Sequence, residues 1–354
     1  MTTITTPRIE INLGKIAHNA KSLKELYASK GIDVIGVTKV VCAAPNIADV
    51  LVKSGISILA DSRLANIRKM RQAGTQAQFL LLRIPSLSQA ESVVKYADMS
   101  LNSELSVIKR LSKFAMEMMT THKVILMVDL GDLREGVMPV DVEHTVKEIL
   151  ELQGIEMIGL GTNLACLGGI KPDAEKMTKL SAITGDIEAK FGLTLGLISG
   201  GNSANYSWFN STEDVGRINN LRLGESIFLG CEPLYRRPIP GLFTDAFTLV
   251  TEVIESKTKP SAPQGDVCQD AFGNTPEFAD IGNIHRIIVG IGEQDVAAKA
   301  IKPRVNAEII GASSDHLLLH SHNYIEVGKE IEFDINYSAL LRLSISPYVK
   351  KVYI

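Results

Sequence analysis

Lys39 is the first residue of the sequence whose type and surroundings could do chemistry, because it closes the apolar run 34–39. Burial disfavours a charged ammonium and lowers its pKa, which is the condition for a nucleophilic or Schiff-base lysine. A lysine that extends from a strand end into solvent is an equally simple interpretation. Motifs elsewhere in the chain have to decide between the two.

Polar residues recur where later apolar runs end. They are Asp129 and Arg134 after the fifth run, Asn163 and Cys166 after the sixth, Asn202 and Ser203 after the seventh, and Arg222, Gly224 and Glu225 at the eighth. Gly200, Gly201 and Ser203 predict a small-residue turn that could hold a phosphate, although an ordinary glycine turn is the alternative. A phosphate site, a nearby arginine and a lysine on the first strand together suggest pyridoxal phosphate.

The elements that must position these residues alternate between strand and helix. Candidate strands are 34–39, 57–60, 78–83, 98–101, 123–129, 156–163, 194–199 and 218–223, and helical spacing occurs between them, for example at 62–73, 142–152 and 173–191. Eight such units in roughly 200 residues predict an α/β fold, a TIM-like (β/α)8 barrel, in which chemistry lies at the C-terminal ends of the strands. An open doubly wound sheet is the alternative, but the first strand is not followed by a Gly-x-Gly-x-x-Gly turn.

The pattern changes near residues 238–241. Beyond them, alternating apolar runs separated by Pro, Gly and Asn predict a C-terminal antiparallel β domain without long helices. We therefore predict a cofactor-binding barrel at 8–238 and a β domain at 239–354, and strand 8–13 could pair with the latter. Segment 257–274 is polar and rich in Pro and Gly, which predicts a long loop.

Composition and charge indicate the general class of protein but not its activity. With 45% hydrophobic residues, 22% charged residues and a net charge of -3, the chain resembles ordinary globular proteins and gives no indication of a nucleic-acid or membrane partner. The N-terminal residues lack the pattern of a signal peptide. Four widely spaced cysteines predict neither a zinc ribbon nor a disulfide framework, and we expect no metal site. A cytoplasmic enzyme is the expectation.

Over most of its length the chain resembles the fold-type III pyridoxal-phosphate racemases of the alanine racemase superfamily. The opening residues 9–19, Lys39, the loop 129–136 with Arg134, the pair Asn202-Ser203 and Arg222-x-Gly224 carry the resemblance. It implies that Lys39 holds pyridoxal 5'-phosphate and that Arg134 assists cofactor and substrate binding. The further cofactor-binding residues that we expect are Asn163, Asn202, Ser203, Arg222, Gly224 and Glu225. The resemblance also implies a homodimer whose subunits share active sites.

Departures from alanine racemase point away from alanine as the substrate. Ala43 stands in place of a phosphate-binding tyrosine, Asn163 in place of a histidine, Met127 in place of a lysine, and Glu293 in place of the second catalytic base, a tyrosine. The segments 36–42, 161–166 and 219–225 are more similar to the ornithine racemase branch. The sequence therefore predicts a racemase of basic amino acids, with ornithine first and lysine, a broad range or alanine as alternatives.

Racemisation needs one acid/base group on each face of the planar carbanion. Lys39 is predicted on one face; for the other, Glu293, Cys268 and Asp315 are the candidates, of which Glu293 is first by its loop position. Glu293 could equally bind the distal ammonium of the substrate, and Asp315 and Cys268 are predicted to contact substrate. A cofactor-dependent lyase (an aldolase or a decarboxylase) and a non-catalytic cofactor carrier remain as other functions. The added β domain disfavours the carrier.

Overall fold

The computed structural model describes residues 5–354, which form two compact units. Gly14–Thr244 is one unit. The described residues up to Leu13 join Asp245–Ile354 in the other. The predicted boundary between residues 238 and 239 falls shortly before the end of the first unit.

The strands and helices are numbered in chain order. The strands are β1 (Arg8–Ile11), β2 (Asp33–Val37), β3 (Ile58–Asp61), β4 (Gln78–Leu81), β5 (Met99–Asn102), β6 (His122–Met127), β7 (Ile155–Gly161), β8 (Leu197–Asn202), β9 (Asn220–Leu223), β10 (Phe247–Pro260), β11 (Asn283–Val289), β12 (Ile301–Pro303), β13 (Ala307–Ala312), β14 (Leu317–Ser321), β15 (Glu330–Ile335) and β16 (Lys350–Tyr353). The helices are α1 (Leu13–Ala28), α2 (Pro45–Lys53), α3 (Leu64–Gln72), α4 (Ala90–Tyr96), α5 (Leu105–Glu117), α6 (Val142–Leu150), α7 (Ala174–Phe191), α8 (Tyr206–Ser211), α9 (Glu225–Leu229) and α10 (Tyr337–Ile345).

In the first unit, strands β2 to β9 are parallel and close into a barrel, β9 pairing with β2. Helices follow the strands, so the strands are buried on both faces and read as continuous apolar runs. Ile35, Ala60, Leu80, Leu101 and Ile125 belong to the buried cluster that these strands contribute. The predicted (β/α)8 barrel is confirmed.

Two strand ends differ from the sequence prediction at positions that matter for the site. Strand β2 ends at Val37, and Lys39 begins a 3-10 turn, Lys39–Val41, that leads into left-handed backbone at Cys42 and Ala43. Gly200 and Gly201 belong to β8 and are not a turn. The pairing of β8 with β9 shifts register between Ser199 and Asn202, and Gly201 has a φ of 140°, a conformation that glycine adopts most easily.

The second unit contains an antiparallel sheet with strand order β12-β15-β10-β11-β14-β13; β1 is added at β10, and β16 pairs with β1. Strand β1 is antiparallel to β10 and parallel to β16. The expectation was a domain without long helices, and the structure adds the nine-residue helix α10, which is capped by the side chain of Asn336. Strand β10 runs to Pro260, so it includes the first residues of the predicted loop, and residues 261–282 contain neither helix nor strand. Within residues 5–354, every helix is too short or too polar to cross a bilayer.

Candidate active site

Lys39 lies at the C-terminal end of the barrel, two residues after β2, and its side chain is largely buried. Burial lowers the pKa of Lys39, and the positive charges of Arg134 and Arg222 lower it further. Cys166 and Asp61 act in the opposite direction on the same pKa. The barrel therefore gathers an amine, two guanidinium groups and a thiol within electrostatic reach of one another.

The turn that carries Lys39 is fixed by Asp61, the last residue of β3. Its buried carboxylate accepts hydrogen bonds from the hydroxyl of Thr38 at 2.9 Å, the N–H of Arg63 at 2.9 Å and the amide of Asn66 at 3.0 Å. Burial raises the pKa of Asp61, and these donors lower it again in part. Because Thr38 precedes Lys39, this network holds the start of the lysine turn against the neighbouring strand.

Arg222, in β9, reaches from its strand to β8 and to the residues that follow β7. Its side chain is 4% exposed and donates to the carbonyl of Thr162 at 2.8 Å, to the Oδ1 of Asn163 at 3.3 Å and to the hydroxyl of Ser199. Burial lowers the pKa of Arg222 to about 10, so the guanidinium stays charged at neutral pH. The sequence missed Ser199 and Thr162, which orient this cation through buried contacts.

Asn163 and Asn202 form an amide pair beside Arg222. The Nδ2 of Asn202 donates to the Oδ1 of Asn163 at 3.1 Å and to the carbonyl of Leu164 at 2.9 Å, and it lies 3.7 Å from the sulfur of Cys166. The Nδ2 of Asn163 is buried and has no hydrogen-bond partner among the described residues. Such a donor costs free energy unless a bound group accepts from it.

Ser203 and Ser226 meet where β8 and β9 lead into their helical turns. Their hydroxyls lie 2.9 Å apart, and the N–H of Ser226 donates to the hydroxyl of Ser203 at 3.2 Å. A side chain at Gly224 would put its Cβ 3.2 Å from the carbonyl oxygen of Val37, a tight contact that favours glycine where β9 approaches β2. Glu225 forms an ion pair with Arg236. Two hydroxyls and closely approaching backbone therefore line this corner.

Arg134 is carried by a loop that closes on itself after β6. The N–H of Asp129 donates to the carbonyl of Val137 at 2.9 Å, and the carboxylate of Asp129 accepts from the N–H of Gly131 at 2.8 Å. Gly136, with a φ of 131°, lies so close to Asp129 that a Cβ would come within 2.5 Å of its nitrogen. The loop is therefore rigid at its base, and Arg134 is held at its tip.

Arg134 itself is not free. Its Nε and Nη2 both donate to the carboxylate of Glu135. Burial lowers the pKa of Arg134, but the hydrogen bonds to Glu135, together with the negative charges of Cys166, Glu135 and Asp132, raise the pKa overall. The Glu135 carboxylate is also close enough to Arg222 to raise the pKa of that residue. Sequence reasoning gave Glu135 no role, although its place beside the predicted substrate arginine was a usable signal.

Asp132 joins this loop to the one after β7. Its carboxylate, which is buried, accepts from the N–H groups of Cys166 at 3.3 Å, Leu167 at 2.9 Å and Ile170 at 3.4 Å. The position of Cys166 among Lys39, Arg134 and Arg222 thus depends on an aspartate whose role the sequence did not reveal.

The remaining predicted residues lie in the second unit. The loops of Glu293 and Asp315 are in direct contact: the N–H of Glu293 donates to the carbonyl of Ser313 at 2.9 Å, and a Cβ on Gly292 would meet the nitrogen of Asp315 at 2.4 Å. Glu293 accepts from the N–H of Ala298 at 2.9 Å and lies 3.5 Å from Arg342.

Asp315 and Cys268 are both more open to solvent. The carboxylate of Asp315 pairs with His316 at 2.8 Å, and this contact lowers the pKa of Asp315. Cys268 is exposed within segment 261–282. Among the described residues, no group of His, Cys, Asp and Glu side chains could hold a metal ion.

Comparison with known proteins decides the family. Residues 11–232 match the family model described as the N-terminal domain of alanine racemase. The chain belongs to the alanine racemase family. Within that family, an ornithine racemase from Acetoanaerobium sticklandii is 40% identical over 350 residues, 98% of this chain and 99% of that protein. A lysine racemase from Thermotoga maritima is 39% identical over 350 residues, 98% of each chain.

The solved structure of alanine racemase from Clostridium difficile 630 superimposes on this chain with a TM-score of 0.76. The match covers 99% of this chain and 97% of that one at 21% identity, so it shows the fold alone. The family predicted from the sequence is confirmed, and with it the prediction of an amino-acid racemase.

Proposed function

We propose that the protein is a pyridoxal 5'-phosphate-dependent racemase of basic amino acids, with ornithine as the first candidate substrate. The observation that carries the proposal is the largely buried Lys39, whose pKa is lowered at the C-terminal end of a barrel that also brings in Arg134 and Arg222. The names of the two relatives that are 40% and 39% identical support ornithine or lysine over alanine.

The residues present fit the cofactor. The buried Nδ2 of Asn163 is a donor without an acceptor, and the adjoining hydroxyls of Ser203 and Ser226 can turn toward a phosphate. We propose that the group is held by Lys39, Asn163, Asn202, Ser203, Arg222, Gly224 and Glu225, with Glu225 acting through its ion pair with Arg236. When bound, pyridoxal phosphate supplies an electron sink that acidifies the substrate Cα–H.

The chain's own residues then have to move one proton on and off Cα. The environment of Lys39 disfavours its charged form, so its amine is a suitable base for one face. Arg222 keeps a fixed positive charge in a dry position, with its guanidinium oriented by Thr162 and Asn163. Arg134 is the proposed anchor for the substrate carboxylate.

For the opposite face we retain Glu293 as the first candidate, with Asp315 and Cys268 as proposed substrate contacts. The His316 pairing keeps Asp315 charged and makes it a weak base near neutral pH, which favours a binding role. Glu293 is held by the Ala298 N–H and by Arg342, so it is oriented, and either proton transfer or ammonium binding suits it.

We further propose that the enzyme is a homodimer with shared active sites and that it works in the cytoplasm. The family resemblance supports the dimer. All four cysteines of the sequence lie within the described residues and are free, which fits a reducing compartment.

A chiral product assay tests the substrate class. The enzyme, loaded with pyridoxal phosphate, is incubated separately with L-ornithine, L-lysine, L-arginine and L-alanine, and the D-isomers are quantified. We expect kcat/KM for ornithine or lysine to exceed that for alanine by at least about tenfold. Faster turnover of alanine would contradict the substrate class, and carbon loss or aldehyde release in place of D-isomers would favour the lyase.

A further inference from the structure

We propose that Glu135 determines specificity by recognising the distal ammonium of a dibasic substrate. The inference rests on the proposed racemase function and adds a residue to it. Glu135 follows Arg134 in the closed loop after β6, and its side chain is 17% exposed, compared with 38% for Arg134. The carboxylate is therefore the more enclosed member of the pair.

The backbone contacts of its loop fix the position of Glu135. The bridge between Val128 and Val137 closes the loop, and Gly136 packs against Asp129 so tightly that it leaves no room for a side chain. Asp132 anchors the same loop to the backbone of residues 166–170. Glu135 directly precedes Gly136 at the closed base of this loop, so its position is preorganised, as a specificity group needs to be.

Charge balance gives Glu135 its proposed role. Its carboxylate occupies the Nε and Nη2 donors of Arg134 and also acts on the buried Arg222. When an amino acid places its α-carboxylate on Arg134, two negative groups share one guanidinium in a half-buried position. Two carboxylates that bind the same guanidinium repel each other, and partial burial weakens the solvent screening of this repulsion.

A second ammonium on the substrate removes this repulsion. Ornithine and lysine carry one on a flexible chain that can turn toward the carboxylate next to Arg134, whereas alanine and other neutral side chains carry none. Glu135 would therefore favour dibasic amino acids by attraction and disfavour the others by repulsion, which are the two components of specificity. It contacts substrate in this role and transfers no proton.

The test compares L-ornithine with L-norvaline, which has the same carbon chain without the distal ammonium. Racemisation of both is measured with the wild type, with Glu135→Gln and with the control Glu143→Gln. Glu143 is an exposed glutamate of α6 that pairs with Lys190 of α7. In Glu135→Gln we expect kcat/KM for ornithine to fall by about tenfold or more, mainly through KM, and the value for norvaline to rise. Glu143→Gln should behave as the wild type.

If kcat/KM stays at the wild-type value for both ornithine and norvaline in Glu135→Gln, the inference is overturned and ammonium recognition moves to Glu293 or Asp315. An equal fall for both substrates would also overturn it, because it would mean that Glu135 only maintains the loop. If the wild type racemises neither substrate, the proposed function itself fails, which is a different result from either of these.

Discussion

Asp132 and Leu167 connect the loops that follow β6 and β7: the N–H of Leu167 donates to the Oδ2 of Asp132 across 2.9 Å. Cys166 and Ile170 donate to the same carboxylate. One loop carries Arg134 and the other carries Cys166, so a single buried side chain sets the spacing of two groups that both act on Lys39.

Asp132→Asn should loosen both loops. The amide replaces one acceptor by a donor that faces backbone N–H groups, so we expect the free energy of unfolding to fall by about 1–3 kcal/mol and kcat/KM to fall with it. Chemical denaturation and racemisation kinetics measure the two effects. Asp141→Asn is the control, because Asp141 is exposed and its side chain caps no helix. Full stability and activity in Asp132→Asn would contradict the anchoring role.

Arg222→Lys should be destabilising even though it keeps a positive charge. Lysine cannot reproduce the planar fork that reaches Thr162, Asn163 and Ser199 together, so buried acceptors lose partners. We expect a loss of about 2 kcal/mol in the free energy of unfolding. Arg217→Lys is the matched control, because Arg217 is exposed and its ion pair with Glu188 should contribute less than the buried contacts of Arg222. Equal effects of the two substitutions would count against the buried network.

His122 predicts a pH dependence of stability that is separate from catalysis. It is buried at the start of β6 and hydrogen-bonded to Ser100 at 2.8 Å, and burial lowers its pKa to about 4 from 6.5. A histidine with a depressed pKa stabilises the fold fully above pH 6.5, and that contribution is lost as the pH falls toward 4.

The shift corresponds to about 3 kcal/mol at most. Unfolding of wild type and His122→Gln should therefore be compared between pH 7 and pH 4. The wild type should lose more stability over that range than the variant does. Parallel curves would show that His122 does not titrate with unfolding.

Lys39→Ala should abolish attachment of the cofactor. After incubation with pyridoxal phosphate and reduction with borohydride, the wild type should keep a covalently bound chromophore and the variant should not, because the amine that attaches it is gone. Lys53→Ala, an exposed lysine at the end of α2, is the control. A modified peptide that does not contain Lys39 would place the cofactor lysine elsewhere.

The barrel was predictable because buried parallel strands leave a strong signal, as the run before Lys39 shows. For the candidate site, the sequence predicted which strand ends carry polar side chains, and the structure brings Arg222 and Asn202 together at Asn163. Their roles toward a cofactor stay predictions. The contacts of Asp132 and Glu135 were not predictable from the sequence. A carboxylate in a loop can be solvated, can anchor backbone N–H groups or can pair with a cation, and no sequence pattern separates these cases. Their roles depend on backbone N–H groups and a guanidinium that only the folded loops bring near.

The limits of strand prediction were equally physical. The sequence extended β2 to Lys39, because Thr38 and Lys39 continue its pattern, whereas the hydrogen bond from Thr38 to Asp61 coincides with the end of that strand. Helix α10 was missed because a nine-residue helix among many strands shows too few turns for its periodicity to be detected.

Incubation of the loaded enzyme with L-ornithine in heavy water tests the central claim most directly. The account predicts D-ornithine that carries deuterium at Cα, with no loss of carbon, because a proton is removed on one face and delivered from solvent-exchanged groups on the other. Recovery of L-ornithine without deuterium, or conversion to a decarboxylated or cleaved product, would contradict it.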